Sequence, residues 1–170
     1  MQLLVIRHGI AEDRTEFART GQDDSFRPLT REGSRRMRRA ARGLRRVVPR
    51  LGLLATSPLT RAVQTAEILA DVYGGMELTE IPELAPDAHP SILLDRLRSL
   101  QVDPAEPVAL VGHEPDLGRL ASWLLSGQGR SFLPLKKGGA CLLGFEELPE
   151  AGQAVLRWAL APGQLRRLRR

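Results

Sequence analysis

One cysteine, Cys141, is all the thiol chemistry that the 170-residue sequence contains. A single thiol excludes an internal disulfide framework and fits a reducing compartment. Cys141 lies in the apolar stretch Ala140–Phe145, where a small buried hydrophobe is expected. Aromatic residues are scarce, at 4%, which removes the stacking platform of single-strand nucleic-acid binders. No apolar run approaches the roughly 18 residues of a membrane span. The first residues are not a basic segment followed by a plain apolar stretch, because Arg7 and His8 interrupt it. A cytoplasmic protein is therefore expected, with no membrane partner. Lysine is nearly absent too: all but Lys136 and Lys137 of the 25 basic residues are arginine.

What is present is arginine and aliphatic periodicity. The net charge is +5, and the densest basic cluster runs from Arg31 to Arg50. A second cluster closes the chain at Arg166, Arg167, Arg169 and Arg170. Such clusters read as solvated helix faces, or as attraction for an anionic partner. Nucleic acid is the disfavoured partner, since no recognisable binding module accompanies the charge. A chain of this length is expected to form one domain, residues 1–170, and to act as a monomer.

Four short aliphatic runs read as strands: Leu3–Ile6, Leu51–Thr56, Glu77–Ile81 and Pro107–Val111. Helical patterns separate them, which points to α/β architecture. Thr30 fits an N-cap for a helix reaching about Val48 and stopped by Pro49. Ser57-Pro58 reads as N-cap plus N1 proline for a helix through Tyr73, closed by Gly74-Gly75. Pro90 and Pro115 open two further helices, and His89 reads as a helix-start residue. The tail adds strand candidates at Ala140–Glu146 and Val155–Leu160.

Three of the strands end in chemically loaded turns. Leu3–Ile6 is followed by Arg7-His8-Gly9, and Leu53–Thr56 by Ser57-Pro58-Leu59-Thr60-Arg61. Val108–Val111 leads into Gly112-His113-Glu114-Pro115. If these strands are parallel neighbours, all three turns face one edge of the sheet, where open α/β sheets bind ligands. That edge would collect two guanidinium forks, from Arg7 and Arg61, and two imidazoles, from His8 and His113. Arg61 would lie in the first turn of its helix, where free N–H groups also favour an anion. A pocket this cationic calls for a dianion, and an imidazole can accept a phosphoryl group. A metal is the poorer use of these histidines. Zinc needs three or four ligands, and neighbouring arginines would repel a cation.

These residues resemble the histidine phosphatase superfamily, also called phosphoglycerate mutase-like, whose signature is an R-H-G triplet ending the first strand. Within it the chain resembles the small SixA-type phosphohistidine phosphatases. The segments carrying the match are "LLVIRHGIAE", "DSFRPLTREG", "LLATSPLTRAVQTAEIL", "IPELAP" and "VALVGHEPDLG". "LKKGGACLLGF" and "WALAPGQL" extend it, so the likeness runs over essentially the whole chain. The resemblance implies a three-layer α/β/α sandwich around a mainly parallel sheet, with no metal and no organic cofactor. It implies that His8 is the nucleophile that becomes phosphorylated, and that Arg7, Arg61 and His113 hold the phosphoryl oxygens. Glu83 best matches the general acid that many members carry, with Asp87 second. Ser57 and backbone near Gly9 would add hydrogen bonds to the phosphate. Only Pro86 to His89 separates the "ELAP" segment from the next helix, so the long lid of larger members is expected to be missing.

Three functions remain in view at this level. The first is a phosphatase cleaving the P–N bond of phosphohistidine, in a protein or a small molecule, through phospho-His8. The second is a phosphomonoesterase of the same superfamily acting on small phosphate esters. The third is a non-catalytic module binding phosphate or nucleic acid, for which a nucleophilic imidazole would be superfluous.

Overall fold

A computed structural model describes residues 1–100 and 102–168; the basic tail residues Arg169 and Arg170 lie outside them. The chain runs β1 (Gln2–Arg7), α1 (Arg14–Ala18), α2 (Arg31–Val47), β2 (Leu53–Thr56), α3 (Thr60–Val72) and β3 (Thr79–Glu80). It continues through α4 (Pro90–Ser99), β4 (Val108–Gly112), α5 (Asp116–Ser126), β5 (Ala140–Gly144), β6 (Val155–Leu160) and α6 (Pro162–Arg167). Short 3₁₀ turns occupy Asp24–Phe26 and Pro82–Leu84.

The six strands form one sheet in the order β3-β2-β4-β1-β5-β6. β4 lies between β1 and β2 and is parallel to both, pairing Leu3 with Val108 on one side and Leu53 with Val108 on the other. β5 and β6 continue the sheet antiparallel. Near-continuous aliphatic composition marks strands covered on both faces, and alternation divides the two cores. Leu4 and Ile6 pack with Met37, Leu44, Leu69 and Leu165 from α2, α3 and α6. Leu3 and Val5 pack with Leu94, Leu97, Leu120 and Leu124 from α4 and α5. The result is a mixed α/β three-layer sandwich. The parallel strands β1, β2 and β4 end together, with Arg7 level with Gly112.

Several elements form as expected. Thr30 caps α2, its side chain accepting from the Gly33 N–H at 2.8 Å, and His89 caps α4 through Nδ1. Gly74 and Gly75 close α3 at φ values of 98° and 85°, a region that costs glycine nothing. Cys141 is fully buried, and burial pushes its thiol up to about 12.

Others differ. Ser57-Pro58 does not open α3. The helix starts at Thr60 behind Leu59. β2 begins two residues late, at Leu53, and β3 shrinks from Glu77–Ile81 to Thr79–Glu80, an edge strand held by two residue pairs. α5 starts at Asp116, one residue past Pro115, and β5 stops at Gly144. α1, α6 and both 3₁₀ turns are too short for periodicity to announce them. No helix among the described residues is long and apolar enough to cross a membrane.

Candidate active site

The turns after β1, β2 and β4 open into a cleft of about 650 Å³ whose walls include Arg7, His8, Arg61 and His113. Thus four sequence-predicted residues meet at one sheet edge. Asp87 lines the same cleft, as do Arg27 and Lys137, which sequence reasoning did not single out. Glu83 does not line it. It borders a small cavity of about 20 Å³, shared with His113 and Asp116. Gly9 and Ser57 are not among the residues lining the cleft, and Gly9 lines a smaller crevice beside it.

Backbone fixes the His8 ring. Nδ1 lies 2.7 Å from the Gly9 carbonyl oxygen, and a carbonyl can only accept, so Nδ1 carries the proton. Nε2 of the neutral ring therefore holds a free lone pair. Gly9 is itself pinned, its N–H donating to Thr65 Oγ1 at 3.0 Å. The Thr65 hydroxyl in turn donates to the Arg61 carbonyl at 2.7 Å. The Gly9 N–H is therefore taken by Thr65, and its carbonyl holds His8.

Arg61 lies in the first turn of α3 and is 4% exposed. It donates from NH1 to the Asp24 carbonyl at 2.9 Å and pairs with the Asp24 carboxylate at 3.3 Å. Arg27, also buried, pairs with the other Asp24 oxygen at 2.8 Å and donates to the Glu12 carbonyl at 2.7 Å. Burial pushes the Asp24 carboxyl up, but bonds from Arg27 and Arg14 and the Arg61 charge outweigh it and hold it at about 2. Arg7 donates to the Leu135 carbonyl at 2.7 Å. Beside it Glu114, raised by burial, accepts from the Leu135 N–H at 2.8 Å.

His113 Nε2 lies 2.8 Å from Ser57 Oγ, which also accepts weakly from the Leu59 N–H at 3.3 Å. Ser57 thus keeps a weak bond at the approach to α3 while reaching His113. The two histidine rings stand 5.1 Å apart, tilted by 51°. Burial pushes His8 down to about 4, with the Arg61, Arg7 and Lys137 charges adding to it. His113 falls to about 3, again through burial first and then through His8 and Arg61. Both rings are neutral at neutral pH.

Among the described residues, Arg7 Nε, Arg61 Nε and His113 Nδ1 are buried with no protein partner. Buried polar atoms without partners are costly. Here they belong to three side chains around one cleft. Glu83 Oε2 is the fourth unpartnered buried atom.

The buried neutral histidines carry a stability consequence. Their unfolded value is 6.5, above the folded values of about 4 and 3. On acidification the unfolded chain takes up protons that the folded chain refuses. Stability is complete above about pH 6.5 and falls as pH drops towards 4, at up to about 1.4 kcal/mol per pH unit for each histidine. Denaturant titrations at several pH values should show this slope, and His113→Asn should remove about half of it. A variant slope equal to that of the unmodified protein would refute the assignment.

Fold and cleft together define an α/β protein with a cationic cleft at the carboxyl ends of parallel strands, walled by Arg7, His8, Arg61 and His113. The chain belongs to the histidine phosphatase superfamily: the family model for its branch 1 matches residues 3–86. An uncharacterised protein of Picosynechococcus sp. is 40% identical over 139 residues, covering 82% of each chain. Phosphohistidine phosphatase SixA of Escherichia coli is 28% identical over 167 residues, covering 98% of this chain and 97% of that protein. The structure of the protein histidine phosphatase SixA complexed with tungstate superposes with a TM-score of 0.79 at 26% identity, covering 97% of this chain and 99% of that one.

Proposed function

We propose that this chain hydrolyses the P–N bond of phosphohistidine by transferring the phosphoryl group to His8. The observation that carries this reading is the His8 ring itself. It is neutral, its Nδ1 proton is committed to the Gly9 carbonyl, and it shares a cleft with three side chains that each hold a buried nitrogen without a partner. Nε2 attacks phosphorus in line as the P–N bond to the substrate ring breaks, and that ring, protonated on its other nitrogen, takes the electron pair and leaves as neutral imidazole. Arg7 and Arg61 balance charge on the equatorial oxygens, the dominant catalytic contribution in phosphoryl transfer. His113 contributes while neutral: the Ser57 hydroxyl donates to Nε2, which leaves Nδ1–H for a phosphoryl oxygen.

Because Nδ1 keeps its proton, phospho-His8 is an imidazolium and a good leaving group. Water attacks its phosphorus, loses a proton to the product phosphate, and His8 returns to its starting state. The names and oxyanion complex of the SixA relatives support this chemistry. The reading is of one domain acting in the cytoplasm without metal or organic cofactor.

A second reading, hydrolysis of small phosphate esters, is favoured by one observation: a carboxylate, Asp87, lines the cleft. An alkoxide must leave with a proton, whereas an imidazole protonates readily. Measuring kcat/KM on phosphohistidine, phosphoserine and a sugar phosphate separates the two. Asp87→Asn and Glu83→Gln sharpen the test. On phosphohistidine or an aryl phosphate each should cost under about tenfold, or 1.4 kcal/mol. A loss at either residue that grows as the leaving group worsens identifies the acid. Higher kcat/KM on the sugar phosphate than on phosphohistidine would overturn the P–N assignment.

A further inference from the structure

Beside the cleft, on the α2–α6 side of the sheet, lies a second crevice of about 140 Å³. Its floor is apolar, formed by Ile10, Met37 and Pro162, and its rim is cationic, formed by Arg36, Lys137 and Arg166. No carboxylate is among its lining residues. Arg36 is partly balanced by Glu32, at 2.7 Å, which it shares with Arg35. Lys137 and Arg166 have no ion pair among the described residues. Lys137 lines both crevice and cleft, and its charge is felt at His8. The two hollows therefore share a wall at Lys137.

We propose that this crevice docks a peptide segment of the substrate protein, an aliphatic side chain filling the floor and neighbouring carboxylates pairing with Arg36, Lys137 and Arg166. The inference rests on the phosphatase reading above and narrows its substrate to a protein. A small polyphosphate would strand charged oxygens against Met37 and Ile10, at a desolvation cost. A nucleic acid would find no aromatic side chain to stack on among the lining residues. A protein segment alternating aliphatic and acidic residues satisfies floor and rim together, and charge complementarity at the rim sets register and encounter rate.

The test is direct binding, read without turnover, so that its failure and failure of the phosphatase reading are told apart. Fluorescence anisotropy would compare two labelled unphosphorylated peptides carrying a central histidine, one flanked by Glu and Leu, the other by Lys and Ala. The acidic peptide should bind more tightly, and Arg36→Glu with Arg166→Glu should weaken it about tenfold. Arg42→Glu with Arg46→Glu reverses the same charge at exposed α2 positions outside the crevice, and should weaken it by under threefold. Thermal melting of both variants checks that the fold survives. Equal losses in the two double variants would mean that only the overall field acts, and would overturn the site. So would equal binding of the two peptides, or tighter binding of a mixed-sequence oligonucleotide through Arg36 and Arg166.

Discussion

His8→Ala should reduce turnover of phosphohistidine or an aryl phosphate by at least about 10³-fold, roughly 4 kcal/mol of transition-state stabilisation. The size follows from the role. Arg7, Arg61 and His113 would still bind phosphate in the variant, but no other side chain in the cleft carries a neutral ring nitrogen held by backbone with its lone pair free. Water would have to attack the substrate directly. The fold should survive, since the substitution removes one hydrogen bond, at 2.7 Å to the Gly9 carbonyl, worth about 1 kcal/mol. It also removes a buried imidazole that resists protonation, so the variant should tolerate acid better than the parent. Activity and melting must be measured together. Retention of a tenth of the original rate in a folded variant would remove His8 from the nucleophile's place.

How much of this could be read in the sequence depends on where each residue's partner lies. Arg7, His8, Arg61 and His113 were legible because each follows a buried strand within a few residues. The right-handed logic of parallel sheets then brings such ends together. Thr30 was legible because its partner, Gly33, is three residues away. Ser57 is only half legible: its bond from the Leu59 N–H is local, whereas its bond with His113 joins a partner 56 residues distant. The Gly9 N–H likewise goes to a distant partner, Thr65.

Arg27 and Asp24 sit in a loop with no apolar periodicity, so "DSFRPLT" could be matched as a segment but not given a task. Its work emerges only when Asp24 bridges Arg27 and Arg61. Glu83 and Asp87 were ranked by motif position alone. The 3₁₀ turn Pro82–Leu84 and the left-handed Asp87 backbone, at φ 71°, decide which carboxylate meets the cleft. Neither is a feature that a run of ten residues displays.

That Asp24 bridge shapes the second large effect. Arg61→Ala should lower kcat/KM by about 2–4 kcal/mol, the scale of removing one preorganised transition-state donor. Two losses combine in it. The unpartnered Nε and the cation leave the phosphoryl site, and the Asp24 carboxylate loses one of its balancing charges while its pairs with Arg27 and Arg14 remain. Negative charge then rises beside a dianionic substrate. Arg61→Lys should recover only part of the loss. An ammonium can sit near the phosphate or near Asp24, but it cannot repeat a fork that donates to the Asp24 carbonyl, pairs with its carboxylate and keeps Nε in reserve. Single-turnover rates and phosphate inhibition constants measured on both variants separate binding from chemistry. If the lysine variant matched the parent in both, Arg61 would supply general charge alone, and the bidentate geometry argued for it would be wrong.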